Sequence, residues 1–329
     1  MRKSKILGSG IFVPKRTISN QYFDEALGEN VSDWLENNAQ IYQRHWCEED
    51  ESVLDLCLQA SKTALENAAI SVEEIDLIIV ATDTPEYISP STSTKLQDLL
   101  QAKNAAAFDV NSACAGFITA LDIANKYIAS DKKYNKVLVL GAYAMSKYLN
   151  KTDKKTVTLF ADGAGAFVMG HTIDENEGYL SSNLISQGQY ADWMGIYAGA
   201  SHQPTTPEVI ENGDHQLKFI KRFPGDLNHT MWAKMARDLC EEINISPSDV
   251  DHYFFTQLNI NSIIETMKLL DQPMEKTTTV MHQNGYTGSA CIPMAFDEAI
   301  QKKKVKKGDL VFLIGSGGGL TFGSIAYQL

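Results

Sequence analysis

The sequence predicts an α/β fold built from two duplicated halves, on three observations. Two acidic turns run into buried strands, two Ser-Ala-Cys segments open apolar helices, and two later strands end in glycine. Each pair recurs in the same order about 175 residues apart, the signature of a repeated unit rather than of chance.

The first landmark is Ile70-Ser71-Val72-Glu73-Glu74-Ile75-Asp76 running into Leu77-Ile78-Ile79-Val80-Ala81-Thr82. Its counterpart is Ile245-Ser246-Pro247-Ser248-Asp249-Val250-Asp251 running into His252-Tyr253-Phe254-Phe255-Thr256, an offset of 245−70 = 175. Both read as a helix end, a short acidic turn and a buried strand. Next, Ser112-Ala113-Cys114 and Ser289-Ala290-Cys291 each begin an Ala-rich apolar helix, an offset of 291−114 = 177. Strands at Val137 to Leu140 and Leu310 to Ile314 follow, ending in Gly141 and Gly315, an offset of 310−137 = 173. Strands alternating with helices imply a largely parallel sheet in each half. Residues from about His171 to Asp214 are polar and irregular, with no repeat partner. They are expected to join the halves and cover one face.

Composition bounds the function. The chain has 329 residues, 44% of them hydrophobic and 21% charged, enough for one large or two medium globular domains. A net charge of −12 argues against a nucleic-acid or anionic-membrane surface. Five cysteines (Cys47, Cys57, Cys114, Cys240, Cys291) make no disulfide framework and point to reduced thiols and a cytoplasmic location. The apolar run of the N-terminus is broken by Gly8, Ser9 and Gly10 and ended by Pro14, unlike a signal peptide. No apolar stretch approaches the roughly 20 residues of a membrane helix.

Cys114 follows the expected strand Ala105-Ala106-Ala107-Phe108-Asp109-Val110 and opens a helix, where the dipole is expected to lower its pKa and make it a nucleophile. Small neighbours Ala113, Ala115 and Gly116 leave room for a substrate. Cys291 occupies the equivalent place in the other half, so symmetry alone does not choose between them. Either could equally be a small buried hydrophobe. Gly315-Ser316-Gly317-Gly318-Gly319-Leu320-Thr321-Phe322-Gly323 lets backbone N–H groups approach a ligand, but without a following Lys-Ser/Thr it is no phosphate loop. Asp162-Gly163-Ala164-Gly165-Ala166 lacks the third glycine of a dinucleotide fingerprint and reads as a strand-entry turn. His45 and Cys47 are too few for a metal site, and no metal is expected. His171, His202, His215 and His229 sit in polar surroundings, whereas His252 and His282 lie near strand ends.

Phe108-Asp109-Val110-Asn111-Ser112-Ala113-Cys114-Ala115-Gly116-Phe117 resembles the nucleophile segment of the β-ketoacyl-acyl-carrier-protein synthase III family. Phe160-Ala161-Asp162-Gly163-Ala164-Gly165-Ala166 and Gly317-Gly318-Gly319-Leu320-Thr321-Phe322-Gly323-Ser324 are similar to two further motifs of that family. Pro90-Ser91 and Asp33-Trp34 also fall where the family has them. The resemblance spans the chain and implies a thiolase-like, five-layered α-β-α-β-α fold from two duplicated halves. Residues 1–172 would form the half carrying the nucleophile, 173–215 a connecting and covering segment, and 216–329 the second half. It makes Cys114 the acylated residue, with Cys291 its structural echo, and gives the backbone N–H groups of Cys114 and Gly318 the oxyanion hole that thioester attack needs. It further implies a homodimer joined near Asn104 to Val110, and an acyl-CoA or acyl-carrier-protein thioester as substrate with no resident cofactor.

Two catalytic positions depart from the family. Thr256-Gln257-Leu258-Asn259 stands where the family has His-Gln-Ala-Asn, and Gly285-Tyr286-Thr287-Gly288 where it has Gly-Asn-Thr-Ser. Thr256 and Tyr286 each offer a hydroxyl but no imidazole-like base. His282, four residues before Tyr286, is the expected replacement. Trp34 and Lys154 fit the family's CoA adenine clamp, although its arginine reads as Asn38. The carrier-docking arginine reads as Asn261 with Lys268 still basic, and Ser89 replaces an aromatic at the acyl pocket. The expected function is an acyltransferase of fatty-acid-like or polyketide-type biosynthesis that condenses or transfers an acyl group held on Cys114. The alternatives are a catalytically weak acyl-binding partner subunit, or a non-decarboxylating condensation like that of hydroxymethylglutaryl-CoA synthases, whose loop Tyr286-Thr287-Gly288-Ser289 resembles.

Overall fold

The computed structural model describes residues 2–329. One sheet contains β1 (Lys3–Phe12), β2 (Leu77–Ala81), β3 (Ala106–Val110), β4 (Lys136–Ala144) and β5 (Asp162–Thr172), in the order β1-β5-β4-β2-β3. The other contains β6 (Gly178–Ser186), β7 (His252–Phe255), β8 (Leu310–Gly317) and β9 (Thr321–Gln328), in the order β6-β9-β8-β7. Position for position the second order repeats the first, with offsets 178−3 = 175, 252−77 = 175 and 310−136 = 174. Where β3 would recur, a single parallel bridge joins Tyr253 to Thr277.

The helices complete the layers. α1 (Val53–Ala68) and α2 (Thr92–Leu100) cover the outer face of the first sheet, and α3 (Gly116–Ser130) lies between the sheets. α4 (Leu227–Glu242) packs on the outer face of the second sheet, with α5 (Ile260–Leu269) against α4, while α6 (Cys291–Gln301) joins α3 in the middle. This is the five-layered thiolase-like arrangement. Its central strands are largely apolar because both faces are covered. Leu77, Ile79 and Ala81 face the middle helices while Ile78 and Val80 face α1 and α2. In the second sheet Phe254, Val311 and Leu313 point inward and Tyr253, Phe255 and Phe312 point to the other outer core.

The acidic turns are alike in detail. Ser71 with Glu74 and Ser246 with Asp249 each form a capping box on a single 3₁₀ turn. Asp76 then accepts the N–H of Lys136 at 3.0 Å, and Asp251 that of Leu310 at 2.8 Å, so each carboxylate fastens the neighbouring strand of its own half.

Two expectations need correction. The sheets are mixed: β2 pairs in parallel with β3 and β4, and β7 with β8, but β1–β5, β4–β5, β8–β9 and β6–β9 are antiparallel. A three-residue turn closes β8–β9, and so short a connection permits only an antiparallel pair. Residues 171–214 are also not irregular throughout, because Gly178–Ser186 forms β6, the counterpart of β1. The polar run Ser181-Ser182-Asn183 within this strand hid it. Among the described residues no helix is long and apolar enough to cross a membrane.

Candidate active site

Between the sheets the two halves meet through reciprocal close contacts. A Cβ on Gly317 would lie 2.3 Å from the carbonyl oxygen of Ser112 and 2.7 Å from the Cys114 nitrogen. A Cβ on Gly141 would lie 2.2 Å from the carbonyl oxygen of Ser289. Glycine at these positions is therefore a packing requirement, and it seats the β8–β9 turn directly on the Cys114 turn. Past this point the symmetry breaks. Tyr143, buried, stands in the place equivalent to Gly317 (317−143 = 174), and its ring lies against Gly288.

Cys114 belongs to the 3₁₀ turn Ala113–Ala115 that leads into α3. Asn111 Oδ1 accepts the N–H of Ala113 at 3.0 Å, and Ala113 has φ 45°, the left-handed region that a side chain disfavours. Such strain, about 1–3 kcal/mol, persists where the surroundings over-determine it. Cys114 touches two cavities. One of about 60 Å³ is lined by Thr256, Asn259, Tyr286, Trp232 and Gly318. The other, of about 240 Å³, is lined by Asp83, Asn111, Tyr143, Met145, Met194 and Gly318. Cys291 reaches neither; it is 1% exposed in the central core, and burial pushes its thiol up to about 12. Access thus separates the two cysteines that symmetry left equivalent.

The thiol is not acidified as its helix-start position suggests. Burial holds Cys114 well above the usual thiol range, the Asp83 carboxylate adds to the rise, and a hydrogen bond from Tyr286 opposes it. The dipole of α3 acts on a group that has lost its water, and in this slot desolvation is the larger effect. Tyr286 itself is pinned at its backbone. Its N–H donates to Leu159 O and its carbonyl accepts from Ala161 N–H, both at 2.9 Å, leaving the phenol directed at Cys114. Thr256 spends its hydroxyl on the backbone, accepting the Ser316 N–H at 3.1 Å. Asn259 caps α5 by accepting the Asn261 N–H at 3.0 Å and forms part of the smaller cavity's wall.

The structure therefore brings together Cys114, Gly318, Thr256, Tyr286 and Asn259. It does not bring His282 to them. The His282 ring is held by Gln40 O at 2.6 Å and Thr279 Oγ1 at 2.8 Å and stacks on Tyr42, outside both cavities. His252 bonds Thr278 at 2.9 Å at the start of β7, whereas Thr256 follows its end. Neither histidine lines a cavity beside Cys114. Ser89 lies on an exposed loop beside Tyr87 and Ile88, away from the cavities. Trp34 is 55% exposed, and Lys154 pairs at 2.8 Å with Glu29 in the segment leading to it.

Sequence reasoning missed Asp83. It follows β2 between two threonines fixed to neighbouring strands: Thr82 N–H donates to Val110 O at 3.2 Å, and Thr84 Oγ1 accepts the Ala144 N–H at 2.9 Å. Its Oδ1 is buried without a hydrogen-bond partner, and burial raises its pKa to about 6. The available signal was an acidic residue two positions after the end of a fully buried strand. Asp162, by contrast, is structural. It accepts the backbone N–H groups of Cys47 and Ser146 at 2.7 and 2.8 Å and opens β5, as its turn motif predicts.

Comparison with known proteins agrees with this geometry. Residues 108–188 match the family model for 3-oxoacyl-(acyl-carrier-protein) synthase III, and 240–329 match the model for its C-terminal part. The β-ketoacyl-(acyl-carrier-protein) synthase III of Wolbachia pipientis wMel is 38% identical over 99% of both chains. The solved 3-oxoacyl-(acyl-carrier-protein) synthase III of Aquifex aeolicus VF5 superposes with a TM-score of 0.88 at 32% identity, covering 99% of this chain and 100% of that one. The priming β-ketosynthase of the R1128 polyketide pathway gives 0.87 at 27% identity, covering 99% and 96%. A duplicated five-layered fold, a Cys114 turn under a glycine hairpin and whole-length similarity converge, and the chain belongs to the 3-oxoacyl-(acyl-carrier-protein) synthase III family.

Proposed function

We propose that Cys114 receives an acyl group from an acyl-CoA or acyl-carrier-protein thioester and passes it to a second substrate, in fatty-acid-like or polyketide-type biosynthesis. Family membership makes the chain an acyl-transferring, condensing enzyme. The residue assignments are supported above all by the seating of Gly317 on the backbone of Cys114, with Gly318 on the wall of both cavities that meet there. In the loading step the Cys114 sulfur bonds the acyl carbon and the bond to the carrier sulfur breaks. The thiol proton leaves with the carrier thiolate. Backbone N–H groups of Cys114 and Gly318 would hold the oxyanion of the intermediate. Because the free thiol is held protonated, its proton must move during attack rather than before it.

Incubation with acyl-CoAs and acyl-carrier proteins followed by intact-mass measurement tests this. One acyl mass is expected on the natural chain and none on Cys114→Ala. Labelling that survives in Cys114→Ala would overturn the assignment.

Condensation without decarboxylation, or simple acyl transfer, is favoured by two observations. The Thr256 hydroxyl is engaged by Ser316, and the Tyr286 phenol is directed at the nucleophile. Neither hydroxyl reproduces the paired imidazole and amide donors of the family, Thr256 being turned to the Ser316 backbone, and losing one such donor typically costs about 10²–10³ in rate. Carbon dioxide release from malonyl-carrier protein should be weak in the natural enzyme and rise in the double variant Thr256→His, Tyr286→Asn. Robust release by the natural enzyme would refute this.

A homodimer is supported by β3, an edge strand whose outer side is unpaired within the chain, and by exposed Tyr87 and Ile88 nearby in sequence to α2. Light scattering should give twice 36.4 kDa. We assign a cytoplasmic location from the reduced-thiol composition, a CoA adenine contact to Trp34 and Lys154, and no resident cofactor.

A further inference from the structure

Cys114 opens onto two spaces of very different size. At about 30 Å³ per water-sized group, the smaller holds roughly two such groups and the larger roughly eight, so only the larger has room for an acyl chain beyond its carbonyl. A chamber for a plain alkyl chain would be walled by aliphatic and aromatic carbon. Met145, Met194, Ile196 and Leu217 supply that on one side. Asp83, Asn111 and Tyr143 do not. Asp83 has no cation beside it, only its own backbone N–H turned to it, and a buried Oδ1 without a partner. Leaving a buried polar atom unpaired is costly, of the order of a hydrogen bond or more, unless something else completes it.

We infer that the acyl group carried on Cys114 bears a hydrogen-bond donor, a hydroxyl or a protonated amine, and that Asp83 recognises it. A carboxylate only accepts, so its complement has to be a donor. The backbone supports this role. Bonds made by Thr82 and Thr84 on either side fix the backbone at residue 83 to two neighbouring strands and hold the half-buried Asp83 at the cavity wall. A pocket that hydrogen-bonds a substrate hydroxyl rejects the analogue lacking it far more strongly than an apolar pocket rejects an added hydroxyl. The inference rests on the acyl-Cys114 reading above.

Three CoA thioesters with the same number of heavy atoms test it: 3-hydroxybutyryl, 3-aminobutyryl and isovaleryl, where a methyl replaces the donor. Their rates of adduct formation on Cys114 are followed by intact mass. At least one donor-bearing chain should load about 100-fold faster than isovaleryl, and which one does so separates hydroxyl from amine. In Asp83→Leu the order should invert, with isovaleryl the fastest. Asp83→Asn, closest in shape, guards against misfolding and should lose preference for the amine in particular. Equal loading of all three by the natural enzyme overturns the inference while leaving the acyl-enzyme reading intact. An equal fall for all three in Asp83→Leu also overturns it, since Asp83 would then carry protons rather than recognise a chain. Failure of every thioester, on CoA or carrier protein, to load Cys114 refutes the acyl-enzyme reading and this inference with it.

Discussion

Replacing Asp83 by Asn should stabilise the protein, and the gain should depend on pH. Burial raises the Asp83 pKa from 3.8 to about 6. At 1.36 kcal/mol for each tenfold change in proton affinity, that difference is about 3 kcal/mol. The sign follows from linkage. Between pH 3.8 and about 6 the folded state binds more protons at this site than the unfolded state, so the site's contribution to stability falls as pH rises. Below pH 3.8 Asp83 is neutral in both states and costs nothing by this route; above about 6 the full penalty stands. The amide that replaces the carboxyl in Asp83→Asn does not titrate, so the difference between the two proteins should be near zero at pH 3.8 and reach about 3 kcal/mol by pH 7. With an unfolding entropy of about 2.1 cal/mol/K per residue over 329 residues, this corresponds to roughly 4 °C in Tm. Paired thermal scans from about pH 4 to 8 measure it, and the other carboxylates cancel in the difference. A difference that stays flat across that range, or a natural protein that is the more stable near neutral pH, would refute the account of Asp83 as an uncompensated buried acid.

Other substitutions probe the packing around the thiol. Gly317→Ala must displace the nucleophile turn, because its Cβ would lie 2.3 Å from Ser112 O; it should lose about 1–3 kcal/mol and at least 100-fold in acyl loading, read by melting and intact mass. Cys291→Ala should cost about 1 kcal/mol in denaturant titration and keep acyl loading, since Cys291 lies in the core away from both cavities. Tyr286→Phe removes the O–H donor to Cys114 and should slow alkylation of that thiol by iodoacetamide about tenfold at about pH 8; an unchanged rate would show that the bond does not tune the nucleophile.

Much of this architecture was legible because its landmarks are doubly buried. The run Leu77 to Ala81 is apolar at each position, a pattern that few structures but a covered central strand require. β6 was not legible: an edge strand carrying Ser181, Ser182 and Asn183 differs little from a polar loop until its partner β9 is known. At the site, Cys114 and Gly318 followed from their motifs, and Thr256 and Tyr286 from position. Their hydrogen bonds depended on where β8 and Leu159 lie, which no local pattern encodes. His282 looked catalytic from its nearness to Tyr286 in the chain, yet Gln40, 242 residues away, claims its ring. The thiol's pKa failed in the same way. A helix start is visible in sequence, whereas loss of water is a property of the assembled interior.

The contrast between Gly317 and Tyr143 gives the duplication a spatial meaning. The chain is in effect a fused pair of sister modules, and each sister presents one strand end to the other's cysteine. On one side that strand end carries only hydrogen, and Cys114 borders two cavities; on the other it carries the buried Tyr143 ring against Gly288, and Cys291 borders neither cavity. Cys291 serves as a small core residue, while the glycine hairpin of its own half walls both cavities beside Cys114. The two halves thus build one site together, one bearing Cys114 and the other acting as its mould.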